Sequence, residues 1–587
     1  MIKYSIGCHN PNLHYIQVSA EFMDFNNKNT VQIQLPSWRP GRYELQNYVQ
    51  NVRSFIVKGL DGQVLEANKI TKDCWEVILN GHNHIIVSYE YYAQQLDAGA
   101  SYVDDSQWYI NPCNCLVYIQ DKINQPCQIK LIDLPAGFII ASNLKFNTDN
   151  IADCSDFHHI ADSPFIASPL LLNENYKVGD YTFHIWMKGV ARPDWHKLKA
   201  NFEKFTQAQI EMFGDFPVPE YHFLIEFSNT KAHHGVEHLA NTVLWFGPGY
   251  KLNEPIIYKE FLGLACHELF HSWNIKSIRP IEMMPYDYSK ENYSNLGYVA
   301  EGVTTYYGDY MLFRSGVINF ESYAEDLRDN FNKHFHTKGR EVMTLAQSSF
   351  DTWLDGYKPG VPDRKVSMYV KGMIVAFMLD VSIRRDTANM FSLDTVMQKL
   401  YTDFAKKHIG YSEQDYLNVI NQITSQDYTS FFNEFIWGLT PLEEPLQEAL
   451  NYVGLTLSIQ PAKKAMERIF GIKPKDENGQ KVIIGQVYPN SPADMAGLSV
   501  GDEILSVGQL DIDPNSIEEI FDFYSNESID IVFSRMKRTI KTKMVKTDNL
   551  YFNNYLVVRN LNASQNQRIN FENWSGQHFL HNIVENI

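Results

Sequence analysis

At 587 residues the chain exceeds the size at which one hydrophobic core stops growing, so several domains are expected. Its 44% apolar and 20% charged residues are the mixture of a globular protein, and no run of about eighteen apolar residues offers a membrane span. With 51 Lys and Arg against 69 Asp and Glu, the net charge of −18 repels phosphate backbones; no basic stripe offsets it, and nucleic acid is not an expected partner.

The first residues, Met1-Ile2-Lys3-Tyr4-Ser5-Ile6-Gly7-Cys8-His9, lack the apolar stretch and small-residue cleavage site of a secretory signal, so the cytoplasm is the expected compartment. Residues 1–170 alternate apolar and polar positions, as in Val31-Gln32-Ile33-Gln34-Leu35 and Ile85-Ile86-Val87-Ser88-Tyr89-Glu90-Tyr91, with turn signals such as Asp61-Gly62 between them. This predicts a β-rich domain. The seven cysteines, Cys8, Cys74, Cys113, Cys115, Cys127, Cys154 and Cys266, are odd in number and sparse, which fits reduced thiols rather than a disulfide framework.

A second domain is expected over 171–455. It opens on a strand from Tyr181 to Met187 and a helix from Trp195 to Met212 that leads to Phe216-Pro217-Val218-Pro219. Helical spacing then governs 258–275, 293–314, 365–384, 393–407 and 413–424, the last opened by a capping box, Ser412-Glu413-Gln414-Asp415. Beyond Pro461 short glycine-punctuated strands mark a small domain, 456–545, followed by a polar, Asn-rich tail, 546–587. The fold class is multidomain α+β, in the order β, α-rich, β.

Within the α-rich part lies His267-Glu268-Leu269-Phe270-His271. If 258–276 is one helix, the two histidines project from one face at the separation needed to share one Zn²⁺, and Glu268 stands beside them to polarise the metal's water as general base. Such a run also arises by coincidence in a few per hundred chains of this length, on the order of magnitude this composition allows. Glu301, in the segment Tyr298-Val299-Ala300-Glu301-Gly302-Val303-Thr304-Thr305-Tyr306-Tyr307, can supply the carboxylate that completes a His₂Glu catalytic site and leaves the fourth position open; a solvated helix glutamate is the alternative, against which the apolar and aromatic setting argues.

Two further segments suit a peptidase acting at a free N-terminus. In His234-Gly235-Val236-Glu237-His238 a glycine permits close approach of an extended backbone, and Glu237 can bind an α-ammonium; a surface charge is the equal alternative. In Tyr369-Val370-Lys371-Gly372 the phenol of Tyr369 can stabilise an oxyanion, although among 34 tyrosines an ordinary core or surface role is the simpler reading.

At these residues the chain resembles the glycyl aminopeptidase family of gluzincin metallopeptidases, which joins a β-rich N-terminal domain, a thermolysin-like catalytic domain and a C-terminal PDZ domain. The motifs that carry the likeness are Trp38-Arg39-Pro40-Gly41-Arg42-Tyr43, His267-Glu268-Leu269-Phe270-His271-Ser272-Trp273-Asn274 and Glu301-Gly302-Val303-Thr304-Thr305-Tyr306-Tyr307-Gly308-Asp309. The resemblance implies one Zn²⁺ per chain on His267, His271 and Glu301, with Glu268 as general base. Gly235-Val236-Glu237-His238 is similar to the family's Gly-Leu-Glu-His segment and implies substrate binding there, with His233 and His234 where the family usually shows glycines. Tyr369-Val370-Lys371-Gly372 is similar to the segment that carries the catalytic tyrosine of larger zinc aminopeptidases. A preference for small N-terminal residues, glycine or alanine, is implied by the family alone.

The C-terminal module resembles a PDZ domain. Phe470-Gly471-Ile472 looks like its carboxylate-binding loop, and Ser491-Pro492-Ala493-Asp494-Met495-Ala496-Gly497-Leu498-Ser499-Val500-Gly501-Asp502-Glu503-Ile504-Leu505 looks like its later signature. Such a loop can capture a peptide C-terminus while an edge strand pairs with the peptide; a packing module without ligand is the equal alternative. The expected function is a zinc aminopeptidase acting on peptides with a free N-terminus. The alternatives are a zinc endopeptidase and a non-catalytic PDZ-type scaffold.

Overall fold

The alternation of the first 170 residues is built into paired strands. Tyr15–Met23 and His84–Tyr92 lie antiparallel, burying Ile16, Val18, Ala20 and Phe22 on one and Ile85, Val87, Tyr89 and Tyr91 on the other, the period of two that a half-buried strand requires. They belong to a seven-stranded sheet ordered Ile151–Cys154, Cys127–Ile132, Ile2–Gly7, Tyr15–Met23, His84–Tyr92, Val52–Gly59, Val64–Leu65. Thr30–Gln34 pairs instead with Cys74–Ile78. After it, residues 35–47 carry the Trp38 to Tyr43 motif without regular secondary structure.

The computed structural model describes residues 1–26, 28–358, 360–475 and 481–579. The chain divides into two units, one of Met1–Ile318, Ala346–Lys358 and Ile383–Phe431, the other of Asn319–Leu345, Pro359–Ser382 and Phe432–Ile587. The multidomain α+β architecture has a β-rich N-terminal region, a helical middle and a C-terminal region of short strands.

In the first unit the sheet of five strands that follows the β-rich region runs Leu172–Val178, Tyr181–Lys188, Glu220–Phe227, Asn241–Gly247, Ala232–Glu237, so the strand Ala232–Glu237 stands at its edge. The helix Trp195–Phe213 starts where Asp194 accepts from the Lys197 N–H and stops at Gly214, whose φ of 93° suits a left-handed C-terminal residue. Pro255 opens the next helix, Pro255–Phe270, at a position where its missing N–H costs nothing. This helix ends at Phe270, with His271 as its C-cap, short of the 258–276 expected from spacing. The segment 293–314 becomes a π-helical turn, Tyr298–Val303, running into the α-helix Thr304–Arg314. The capping box at Ser412 and Asp415 forms as expected.

In the second unit, a PDZ-type sheet ordered Ile472–Pro474, Val482–Val487, Glu503–Val507, Ile529–Arg535, Arg538–Met544 closes over Phe470, Ile484, Leu498, Ile531 and Phe533. Gly471 has φ +70°, and a Cβ there would overlap Ser491; its N–H is directed to Glu467 O at 3.3 Å. Within the region expected as a polar tail, the described residues include a strand and a helix, and residues 580–587 lie outside the described residues. Asn554–Arg559 pairs antiparallel with Leu455–Gln460, and the helix Gln565–Ser575, opened by a capping box at Ser564 and Gln567, buries Phe571 and Trp574. These two aromatics, three positions apart, form one apolar face inside an Asn-rich composition and meet Phe320 and Tyr323.

Candidate active site

The last turn of Pro255–Phe270 presents His267 and its C-cap His271. Their rings stand at 83°, and the two Nε2 atoms are 3.1 Å apart. His271 Nδ1 donates to the Asn274 carbonyl at 2.6 Å, which fixes the ring with Nε2 toward Glu301. The neighbouring helix approaches closely because Gly308 faces His267, where a Cβ would lie 3.2 Å from His267 Cβ. Cys266, beside His267, is buried away from the histidines and accepts from Gln209 Nε2 at 3.1 Å.

Glu301 sits in the π-helical turn, the kind of local widening that re-aims a side chain at functional sites. Its Oε2 lies 3.4 Å from His271 Nε2 and 4.0 Å from His267 Nε2, while Oε1 accepts from the Tyr43 phenol at 3.1 Å. Asn274 ties the two halves together. Its carbonyl holds His271, and its Nδ2 donates to Val299 O at 2.8 Å and to Thr304 Oγ1 at 3.1 Å, on either side of Glu301.

The edge strand alternates its faces. Gly235 and Glu237 look toward the histidines, and a Cβ on Gly235 would overlap the Glu268 carboxylate. Val236 turns the other way, into a cluster with Ala98, Tyr109, Ile166, Leu224 and Val243. His238, also buried, holds Asp162 at 3.0 Å, and Asp162 binds Lys276 at 2.6 Å. Burial opposes ionisation of Asp162, but Lys276 and His238 hold it well below the usual carboxylate range.

Glu237, Glu268 and Glu301 are 4%, 5% and 3% exposed, so three carboxylates gather out of water. Burial pushes the Glu268 carboxyl up to about 8, with His271 opposing and Glu237 and Glu301 reinforcing. At His271 burial works downward, yet Glu301, Glu237 and Glu268 carry it up to about 10. Such a set favours a bound cation. Zinc with bonds of about 2.0–2.1 Å and tetrahedral angles needs donors about 3.3–3.4 Å apart, close to the separations of His267, His271 and Glu301, and Glu268 Oε2 is buried without a partner beside them. The residues therefore fit a zinc ion. A second His-Glu-His group, His184, Glu220 and His222, differs: its rings stack at 4.6 Å and 15°, so their lone pairs run side by side, and Trp186 Nε1 donates to His222 Nδ1.

Several groups were not singled out from the sequence. Tyr43 reaches Glu301 from the irregular loop, Gly41 (φ +86°) lies where a Cβ would overlap the Glu237 carboxylate, and Arg39 is buried with its Nε on Gly99 O at 3.1 Å. All three belong to the motif Trp38-Arg39-Pro40-Gly41-Arg42-Tyr43, the one sequence signal that pointed at them. Tyr369 stands near the start of the helix Met368–Asp386, half-buried, in the second unit.

Two histidines and a glutamate whose ligand atoms lie close enough to hold one metal ion, with a buried glutamate beside them, are an arrangement that suits a metallopeptidase. Residues 260–375 match the M61 glycyl aminopeptidase family, residues 3–169 the peptidase M61 N-terminal domain, and residues 458–527 a PDZ domain. Residues 3–169 and 260–375 thus match the two domains of the M61 glycyl aminopeptidase family. Among solved structures, an aminopeptidase N family protein from Idiomarina loihiensis shares the fold at a TM-score of 0.88 with 24% identity, covering 98% of this chain and 100% of that one. An M1 zinc metallopeptidase from Deinococcus radiodurans, bound to a Tyr-Ser-Ala substrate, aligns at a TM-score of 0.47 with 13% identity over 76% of this chain and 95% of that one. No curated protein matches.

Proposed function

We propose that the chain is a zinc aminopeptidase that removes small N-terminal residues, glycine or alanine, from peptides. The convergence of His267, His271 and Glu301 with buried Glu268 and Glu237 on one side of the edge strand carries this reading. His267, His271 and Glu301 would hold one zinc ion, which when bound acidifies water and polarises a carbonyl. Glu268 takes the proton of the attacking water and returns it to the leaving amine. Glu237 binds the substrate's α-ammonium, and the backbone of Ala232–Glu237 pairs with the extended substrate, so cleavage falls one residue from the end.

The preference for small residues is supported by the family resemblance. Capture of a peptide C-terminus at Phe470-Gly471-Ile472 rests on the same ground. The seven unpaired, buried cysteines suit a reducing compartment, the cytoplasm. Among the described residues no helix is long and apolar enough to cross a membrane.

Metal removal tests the reading directly. The purified chain should contain one zinc per molecule and hydrolyse glycyl and alanyl amides; a chelator should abolish this and added zinc restore it. Full zinc without hydrolysis would favour the scaffold, and equal cleavage of N-acetylated peptides an endopeptidase. A finer test uses Gly235→Ala. The added methyl displaces the Glu268 carboxylate, so kcat should fall about 10²-fold, the usual cost of misplacing a catalytic group by an ångström, while zinc content by metal analysis stays at one.

A further inference from the structure

The zinc ligands occupy the helical part of the first unit, but one of them is held from elsewhere in the chain. Glu301 offers two oxygens, and they have different neighbours: Oε2 faces His271 and His267, and Oε1 accepts from the Tyr43 hydroxyl at 3.1 Å in a buried setting. The phenol donates to Oε1 and leaves Oε2 facing the histidines, so this bond fixes the rotation that decides which oxygen meets the metal.

Tyr43 is itself held from several sides. Its N–H donates to the Tyr357 hydroxyl at 3.1 Å, and its ring stands edge-on to Trp353 at 6.0 Å. Trp38, five residues earlier, meets the same Trp353 ring at 5.2 Å and donates its indole N–H to Asp287 O at 2.7 Å. Ser37 N–H donates to Tyr288 O at 2.7 Å. The irregular loop 35–47 is therefore anchored by side-chain and backbone contacts at Ser37, Trp38 and Tyr43.

Resting on the zinc reading above, we propose that Tyr43 is a positioning residue for the metal centre, orienting Glu301 so that a single oxygen serves the ion. It touches a ligand, not the reacting atoms, and acts by holding the site in shape for zinc. Partners of this kind contribute about 10- to 100-fold to metal affinity. The N-terminal β-rich region thus completes the metal site.

Tyr43→Phe in the full chain tests this, since phenylalanine keeps the ring against Trp353 and removes only the hydroxyl. Zinc affinity of the metal-free protein, measured by competition with a chelating dye, should weaken about 10- to 100-fold, with kcat largely recovered at saturating zinc. The cobalt-substituted variant should show an altered visible absorption spectrum, because the Glu301 carboxylate is free to rotate. In a Glu301→Gln background Tyr43→Phe should have no further effect on affinity. Wild-type affinity in Tyr43→Phe overturns the inference while leaving the peptidase reading intact. A wild-type chain that takes up no stoichiometric zinc overturns both. Should Tyr43→Phe fail to fold, a crystal structure of the zinc-loaded wild type decides: a Tyr43 oxygen on the non-ligating Glu301 oxygen supports the inference, and a separation beyond hydrogen-bond reach overturns it.

Discussion

Glu268→Gln is expected to bind zinc as the wild type does and to lose about 10³-fold in kcat, within the 10²–10⁴ range of general-base contributions. Glutamine fills the same volume and leaves His267, His271 and Glu301 undisturbed, so the loss should fall on kcat with little change in KM. The thermal midpoint of the metal-free protein should not fall. Burial already disfavours the charged form of Glu268 in the metal-free site, so a neutral glutamine of the same shape costs nothing electrostatically. Metal analysis, steady-state kinetics and thermal unfolding read these outcomes together. Wild-type turnover in a zinc-loaded Glu268→Gln enzyme would remove Glu268 from the mechanism.

Glu237→Gln should have the next largest effect, about 10²-fold in kcat/KM on substrates with a free N-terminus, as expected when a buried charge-assisted contact to an ammonium is lost. Discrimination separates this from general damage. The wild type should strongly prefer free over N-acetylated glycyl and alanyl peptides, and the variant should lose most of that preference, because the site no longer reads the positive charge. An unchanged ratio would mean that the ammonium is bound elsewhere and that Glu237 has a structural role beside Gly41.

The parts of the site that were legible in the sequence are those set by local geometry. His267 and His271 meet because four residues span one helical turn, even though the helix ends sooner than spacing suggested. Glu301 was recognisable as a carboxylate in an apolar segment, but the π-turn that aims it was not, since no residue in Tyr298–Val303 announces a widened turn. Tyr43 reaches Glu301 across 258 positions, and Asp162 reaches Lys276 across 114; nothing in local pattern encodes such pairings. Asn274 looked like part of a motif, and its work, linking the end of one helix to the start of another, is visible only once both are placed.

The edge strand teaches a related point. Gly235, Val236, Glu237 and His238 read as one binding segment, but strand alternation sends Val236 into the packed cluster on the opposite face, and His238 is committed to Asp162. Gly235 was read as room for a substrate backbone; in the fold it is also room for Glu268. The role of Tyr369 rests on the likeness of Tyr369-Val370-Lys371-Gly372 to larger aminopeptidases. The helix Gln565–Ser575 is not legible in the polar, Asn-rich sequence after residue 545 because composition conceals spacing: Phe571 and Trp574 are enough to seat a helix otherwise rich in polar residues.

The pairing of Leu455–Gln460 with Asn554–Arg559 has a consequence for how the PDZ domain is attached. Gln460 stands opposite Asn554, so the chain departs into that domain and comes back at a single point. The domain is an insertion at the mouth of a β-hairpin, tethered by both ends, and not an appendage on one linker. Truncation after residue 545 would strip away the returning strand and the helix bearing Phe571 and Trp574, exposing their partners. Excision between the two strands, with a short turn in its place, would spare them.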